Sequence, residues 1–302
     1  MRQILPIKYF KWLFGLNFLC AIVLAFGFSS KDEVNKCIKQ VIIPTCRNVE
    51  FSFAGERIPM EDPDVYERMD RELLVNTYWQ SNMLLNLKLA DKYFPLIEPI
   101  LKEYGLPDDF KYLALAESGM RDVTSNAGAA GKWQFMKGTA ANYGLVVNDE
   151  IDERYHIEKS TRAACMYLLE GKNQISSWCG VAAGYNMGTA GVLRKMNEQQ
   201  ESSYFNLWLN QETARYVFRI VALKEIHKNP SKYGYYYGKE DLYPNVETEK
   251  VMLYLPNNDL VTFAKNRGTN FKTIKYLNPW IRDSKITTLK DSVEIVMPIV
   301  KK

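Results

Sequence analysis

Histidine is scarce in this 302-residue chain, which holds only His156 and His227. No HExxH or CxxC occurs, so the usual signatures of a zinc enzyme are missing. P-loop, GxGxxG and GxSxG patterns are absent as well, which removes the usual marks of nucleotide and serine-hydrolase chemistry. Excess positive charge is confined to the two ends. Net charge is +4, with +3 from residues 1–30 and +5 from residues 251–302, leaving −4 for residues 31–250. The main body is therefore mildly acidic and offers no basic face for nucleic acid. No nucleic-acid partner, metal or cofactor is expected. Only five cysteines occur, and strand-like alternation is weak before residue 250. With 47% hydrophobic and 25% charged residues, the composition is that of a folded protein.

A long apolar run occurs once. Residues 12–28 (WLFGLNFLCAIVLAFGF) are interrupted only by Asn17 and glycines, and Arg2, Lys8 and Lys11 precede them without any acid. The run falls between a signal-peptide core and a spanning helix in length. Its flanking cations stay on the cytoplasmic side, so the remainder is exported. Residues 1–29 are thus read as a signal peptide or a membrane anchor. Ala25-Phe26-Gly27 has the small-x-small form of a cleavage site, and Cys20 invites a lipoprotein reading. Against lipidation, Phe18 and Leu19 are large, and the apolar run continues past Cys20. Four cysteines follow the leader: Cys37, Cys46, Cys165 and Cys179. An even count in an exported chain permits disulfides. For Cys165 and Cys179, on two predicted helices, the alternative is that both are small core residues.

Residues 30–55 read as a linker, with a loop around Pro59, Asp62 and Pro63. From Tyr66 to about Tyr104 the period is helical. Leu106-Pro107-Asp108-Asp109 breaks it and starts a new helix from Phe110 to about Glu117, with proline at the entry and acids in the first turn. A glycine-rich loop (Gly119, Gly128, Gly131) follows, then helices at 133–143, 159–170, 177–187 and 212–228. The body, residues 56–228, is all-α. Residues 229–250, rich in tyrosine, are a linker or a segment packed over the body. Residues 251–302 change character to a small βααβ module. The fold class is mainly α with a small α+β module at the C-terminal end.

Phe110, Leu113, Ala114 and Glu117 fall at i, i+3, i+4, i+7, which puts Glu117 on the apolar face of its helix. A carboxyl there is desolvated and its pKa rises, as a general acid working near neutral pH requires. Taken alone, the feature favours a buried glutamate paired with an arginine.

The neighbours reverse that preference. Glu117-Ser118 in ALAESGM is followed by Ser125, by Gly128-Ala129, and by Gly131-Lys132-Trp133-Gln134-Phe135-Met136. Next come Gly144-Leu145, Asp152-Glu153-Arg154, Tyr185-Asn186-Met187-Gly188, and Glu212-Thr213 with Tyr216. In this order and spacing, residues 56–228 resemble the lytic transglycosylases with a goose-lysozyme-like catalytic domain, and among them the membrane-bound murein type D. The resemblance implies Glu117 as the single catalytic acid and base. It implies Ser125, Gln134 and Met136 as residues lining the glycan groove, Tyr185 and Asn186 as a pair on the facing helix, and Glu212 as a groove residue on the last helix. The bottom-up pattern agrees for Tyr185, which shares a helical face with Trp178, Val181 and Ala182. Ser118 is either a substrate contact or a local backbone hydrogen-bonder. Trp133 either stacks on a sugar or fills the core. Three departures stand out: Lys132 where Leu is usual, Gly184 where Ala is usual, and Asp122 near a position often held by Pro.

The activity implied is cleavage of the β-1,4 bond between N-acetylmuramic acid and N-acetylglucosamine, releasing 1,6-anhydro products, with peptidoglycan glycan strands as the partner. Two other readings stay open: a non-catalytic glycan-binding or scaffold protein on the same fold, and a muramidase hydrolase using a second carboxylate, with Asp122 nearest in sequence. The acidic run Asn148 to Glu153 lacks the alternating pattern of a calcium loop and reads as a solvated turn with a structural Asp152–Arg154 pair. Asp259 to Ala264, Leu277-Asn278-Pro279 and Val296-Met297-Pro298 resemble a degenerate LysM glycan-binding module. That module carries no buried-acid pattern, so it is expected to assist binding and not chemistry. The expected location is periplasmic, or membrane-anchored and facing the periplasm. A fusion of residues 1–40 to a reporter that works only outside the cytoplasm is expected to be active; activity confined to the cytoplasm would end the export reading.

Overall fold

A computed structural model describes residues 42–44, 49–254, 259–289 and 291–299, and the described residues from Val49 onward form one compact unit. The apolar run at 12–28, Cys20, Cys37 and Cys46 lie outside the described residues. Among those described, no helix is long and apolar enough to cross a membrane.

A two-stranded hairpin, β1 (Ser52–Phe53) and β2 (Glu56–Arg57), opens the fold. It falls at the end of the stretch read as a linker, yet it is part of the core: Phe51 and Phe53 are buried, and the Phe53 ring meets Phe110 edge-on at 5.1 Å. Helix α1 (Pro63–Tyr78) starts where Asp62 accepts the backbone N–H groups of Asp64 and Val65, with Pro63 at the first position, the combination that satisfies orphan donors and pre-sets φ. It buries Val65, Met69 and Leu73. The helical period read from Tyr66 to Tyr104 is broken at Trp79, and α2 (Gln80–Glu103) follows with Pro95 and Pro99 inside it. Its end closes through Gly105 in the left-handed region (φ 68°) and a bond from Leu106 N–H to the Leu101 carbonyl, the usual glycine stop.

A short 3₁₀ turn, Asp108–Phe110, leads into α3 (Lys111–Ser118). After a long loop come α4 (Lys137–Asn142), α5 (Ile157–Lys172), α6 (Trp178–Met187), α7 (Thr189–Gln199) and α8 (Gln211–Lys228). Helix α7 has no counterpart in the reading from sequence; only Val192 is buried in it, and its other residues are half-buried or exposed. Cys165 and Cys179 are both buried and both free, which settles them as small core residues rather than a disulfide.

Helix α8 is the central post, packed against α1, α3 and α6. Two carboxylates, the buried Glu72 and the half-buried Asp109, fasten the rest to it. Glu72 on α1 binds Arg215 of α8 at 2.6 Å and Arg71 at 2.7 Å. Asp109 binds Lys224 of α8 at 2.5 Å and accepts the Ala54 N–H of the hairpin at 2.7 Å. The tyrosine-rich segment after α8 packs over the body: Tyr233 and Tyr235 are buried, and the Tyr235 hydroxyl donates to the Thr77 carbonyl.

The C-terminal module is a βααβ unit. Strand β3 (Thr248–Tyr254) pairs antiparallel with β4 (Ser292–Pro298), Val251 opposite Ile295, and α9 (Leu260–Asn266) and α10 (Phe271–Leu277) lie between them in sequence. Asn278 is fully buried and fully used: its amide donates to the Ile274 and Val296 carbonyls and its carbonyl accepts Val296 N–H. The module's core of Leu253, Leu260, Ile274, Trp280, Ile281 and Ile295 also includes Ala130, Ile151 and Tyr155 of the body. Body and module therefore share apolar core.

Both histidines are neutral structural groups. Burial, with Lys111 nearby, lowers His227 to about 4, and its Nδ1 lies 3.1 Å from the Tyr112 hydroxyl. Burial and Lys159 lower His156 to about 4. Between about pH 4 and 6.5 the unfolded chain binds protons at these rings that the folded chain does not, so stability rises with pH across that window. The unfolding midpoint is expected to fall as pH is lowered from 7 to 4.5, with a shallower slope in the H156Q/H227Q variant. Equal slopes for parent and variant would contradict the assignment.

Candidate active site

Glu117 occupies the last turn of α3, which buries Leu113, Ala114 and Leu115 and stops at Gly119 in the left-handed region (φ 61°). Its carboxyl accepts a hydrogen bond from the Tyr216 hydroxyl of α8. Burial pushes the carboxyl above the usual range; the Tyr216 bond and the Arg219 cation pull it down, and the Glu212 charge pushes it up again. Desolvation dominates, as it does wherever a charge loses water without gaining a paired cation. Glu72 provides the contrast, since it has the two arginine partners expected of a structural buried acid. Glu117 forms no such ion pair among the described residues. The arginine-paired alternative describes Glu72, not Glu117.

Facing Glu117 is the α6 pair. The Tyr185 hydroxyl donates to the Trp133 carbonyl at 2.7 Å, and burial, then the Glu117 charge, holds its pKa far above normal. Asn186 donates to Glu212 at 3.1 Å and accepts from the Thr213 hydroxyl at 2.6 Å. Thr213 is itself fully buried, so the amide orientation is fixed from both ends. On α8, Glu212, Tyr216 and Arg219 fall at i, i+4, i+7 and share a face. That spacing was available in the sequence as a signal for Tyr216 and Arg219, neither of which stood among the candidates.

Ser125, Gln134 and Met136 lie on the loop between α3 and α4. Ser125 Oγ accepts Ala129 N–H at 3.0 Å. Gln134 has φ +50°, a left-handed conformation disfavoured by about 1–2 kcal/mol for a residue with a Cβ. Its side-chain amide donates to the Gly131 and Val123 carbonyls at 2.7 and 3.1 Å and closes the turn. Met136 is 45% exposed at the start of α4. Among the described residues no hydrogen bond joins these three to Glu117. Tyr185, Asn186 and Glu212 sit with Glu117; Ser125, Gln134 and Met136 belong to the loop wall.

That loop has almost no regular structure and is held by Arg154. The Arg154 guanidinium binds Asp152 through two bonds of 2.9 and 2.7 Å and donates to the Gly128 and Phe135 carbonyls at 2.8 and 3.1 Å. Gly131 packs so closely on this segment that a Cβ would lie 1.9 Å from the Arg154 carbonyl oxygen. The expected Asp152–Arg154 structural pair is present, and its task is to brace the loop.

Other open readings resolve locally. Trp133 is fully buried and donates to Thr161 at 2.8 Å, so it fills the core. Ser118 donates to the Lys132 carbonyl at 2.9 Å and, more weakly, to that of Ala114, so it bonds backbone. The departures Lys132 and Asp122 are partners, 2.6 Å apart, with the ammonium 4.3 Å over the Tyr93 ring. Gly184 has its own reason: a Cβ there would sit 3.3 Å from Thr189, where α7 begins. Among the described residues no three His, Cys, Asp or Glu side chains gather as a metal site.

Two family models match the chain: residues 95–208 match the transglycosylase SLT domain, and residues 249–299 match the soluble lytic transglycosylase C-terminal LysM-like domain. The chain is homologous to the membrane-bound lytic murein transglycosylase D of Escherichia coli K12, 31% identical over 193 residues, which is 61% of this chain and 42% of that protein. The protein of the same name from Escherichia coli O6:H1 matches to the same extent. The chain thus spans about two fifths of the length of these curated relatives.

Because its folded pKa is raised, an ionised Glu117 opposes folding above that pKa and contributes nothing below the unfolded value near 4.5. Glu117→Gln is expected to raise the unfolding midpoint at pH 8 and to leave it unchanged at pH 4. A loss of stability at pH 8 would mark Glu117 as a structural partner.

Proposed function

We propose that the protein is a peptidoglycan lytic transglycosylase, and that Glu117 is its catalytic acid and base. The observation that supports this most directly is a desolvated carboxyl with a tyrosine hydroxyl as its partner instead of an arginine. Glu117 starts protonated and gives its proton to the glycosidic oxygen between N-acetylmuramic acid and N-acetylglucosamine as the C1–O bond breaks. The substrate's own N-acetyl group stabilises the cationic carbon, as in substrate-assisted glycosidases. Glu117, now a carboxylate, takes the proton of the muramoyl 6-hydroxyl, whose oxygen bonds to C1. The product is a 1,6-anhydro sugar, and Glu117 ends protonated, ready for the next turn.

Tyr216 holds the carboxyl in place and donates to its ionised form midway through the cycle. Arg219, drawing the carboxyl down from its desolvated value, keeps that form accessible. Tyr185 and Asn186, with Ser125, Gln134, Met136 and Glu212, line the glycan groove in this reading. The hydrolase alternative is less well supported. The second carboxylate nearest in sequence, Asp122, is committed to Lys132, and Glu212, whose charge acts on Glu117, is bound by Asn186. Residues 1–29 export the chain or anchor it facing the periplasm, where murein lies, and the LysM-like module adds contact with the glycan.

The test is mass spectrometry of digested murein sacculi. The parent is expected to release anhydro-ended products. Glu117→Gln is expected to lose at least about 10²–10⁴-fold in rate, the usual worth of general acid–base catalysis, while still folding and binding glycan. Reducing ends would point to hydrolysis, and no products to a binding protein. A Glu117→Gln variant near the parent rate would refute the assignment.

A further inference from the structure

The acidic run Asn148 to Glu153 meets the C-terminal module through a dense set of bonds. The Glu150 carboxylate accepts four: the Thr287 N–H at 2.7 Å and hydroxyl at 2.5 Å, and the Thr288 N–H and hydroxyl, both at 2.9 Å. Asn148 shapes the turn that presents it, accepting the Glu150 and Ile151 N–H groups at 2.9 Å. Backbone pairing continues alongside. Arg282 N–H donates to the Glu150 carbonyl at 2.7 Å, Asp152 N–H donates to the Trp280 carbonyl at 2.8 Å, and Ile151 bridges Ile281. The Arg282 guanidinium lies 4.8 Å over the Tyr155 ring. The run is thus a docked strap: Asp149 stays exposed, as a solvated turn would have it, while Ile151, Asp152 and Glu153 are buried.

The strap runs directly into the brace of the groove loop. Two residues beyond Glu150, Asp152 grips Arg154, and Arg154 holds the Gly128 and Phe135 carbonyls. Ala130 of that loop is buried in the module's own core. A path of bonded and packed groups therefore leads from Thr287 and Thr288 to the loop bearing Ser125 and Gln134.

We infer that Glu150 is a positioning residue, through which the C-terminal module holds the groove loop in its working shape. The module then serves turnover itself as well as attachment to the cell wall. Four donors keep the carboxylate well below its usual range, at about 2, so it is charged at neutral pH. The activity half of this inference rests on the transglycosylase reading; the structural half does not.

The test uses the full chain with Glu150→Ala, Glu150→Asp and the milder T287A/T288A pair, each checked for folding. Turnover on a short soluble murein glycan and hydrogen exchange of the 125–135 amides are measured together. Glu150→Ala is expected to lose roughly 10- to 100-fold in kcat/KM, the scale on which small misplacements act. Exchange is expected to quicken in 125–135 while α1 and α8 stay protected, and Glu150→Asp is expected to recover part of both. A module that only tethers murein would lower activity on sacculi and leave the soluble glycan untouched, which would overturn the inference. Lost turnover with unchanged loop exchange, or quickened exchange with unchanged turnover, would overturn it equally. If Glu150→Ala fails to fold, the threonine pair decides on the same two readings. If the parent itself turns over nothing, the functional reading fails, and loop exchange alone decides whether the clamp exists.

Discussion

Arg154 carries more of this structure than its place in a short 3₁₀ turn suggests. The loop between α3 and α4 has only isolated backbone bridges, Thr124 with Ala130 and Ala130 with Phe135, and a backbone acceptor buried without a donor is costly. Arg154 supplies donors to two of the loop's carbonyls, and Asp152 keeps the guanidinium charge paired in a fork whose two bonds fix its plane. Gly131 then brings the loop against the Arg154 backbone at a distance no side chain would allow. Gln134 is pressed into a left-handed conformation by the same closure and repays part of the strain with two side-chain bonds.

Around this brace the candidate site divides into a rigid half and a supported half. The rigid half consists of Glu117, Tyr216, Tyr185 and Asn186 on α3, α8 and α6, helices packed on one another through a common core. Side chains on such elements hold their geometry without help. The supported half is the loop wall, whose shape depends on Arg154 and, through the strap, on the C-terminal module. In the proposed reaction the Glu117 carboxyl both gives and takes a proton, and it lies on this rigid half, among packed helices.

Several of the buried and half-buried charges are held by ion pairs. Glu72, Asp109 and Lys132 each have an ion-pair partner at 2.7 Å or closer. Each is worth keeping intact, because removing one partner strands the other in a poor solvent for charge. Lys132 and Asp122, two separate oddities when read along the chain, are one compensated pair. Glu117 relies instead on the neutral Tyr216 hydroxyl, which sets it apart from these pairs.

Sequence alone determined the helices with strong apolar period, the βααβ order of the last fifty residues, and the placement of Glu117 on an apolar face. These are local properties, written in spacings of two to seven residues. The order of short motifs also carried the family resemblance. Tertiary structure alone decided what each of the remaining groups does. Ser118 and Trp133 had two readings each until their partners, Lys132 and Thr161, were in place. Tyr216 sat in a recognised block, but its role follows only from α8 crossing α3 so that a hydroxyl meets a carboxyl across 99 positions. Glu150 looked like one solvated acid in a run of acids, and four donors from residues 137 and 138 positions away made it a clamp. Interactions of that span leave no periodic trace, because their energy depends on where two distant segments meet and not on what either segment prefers by itself.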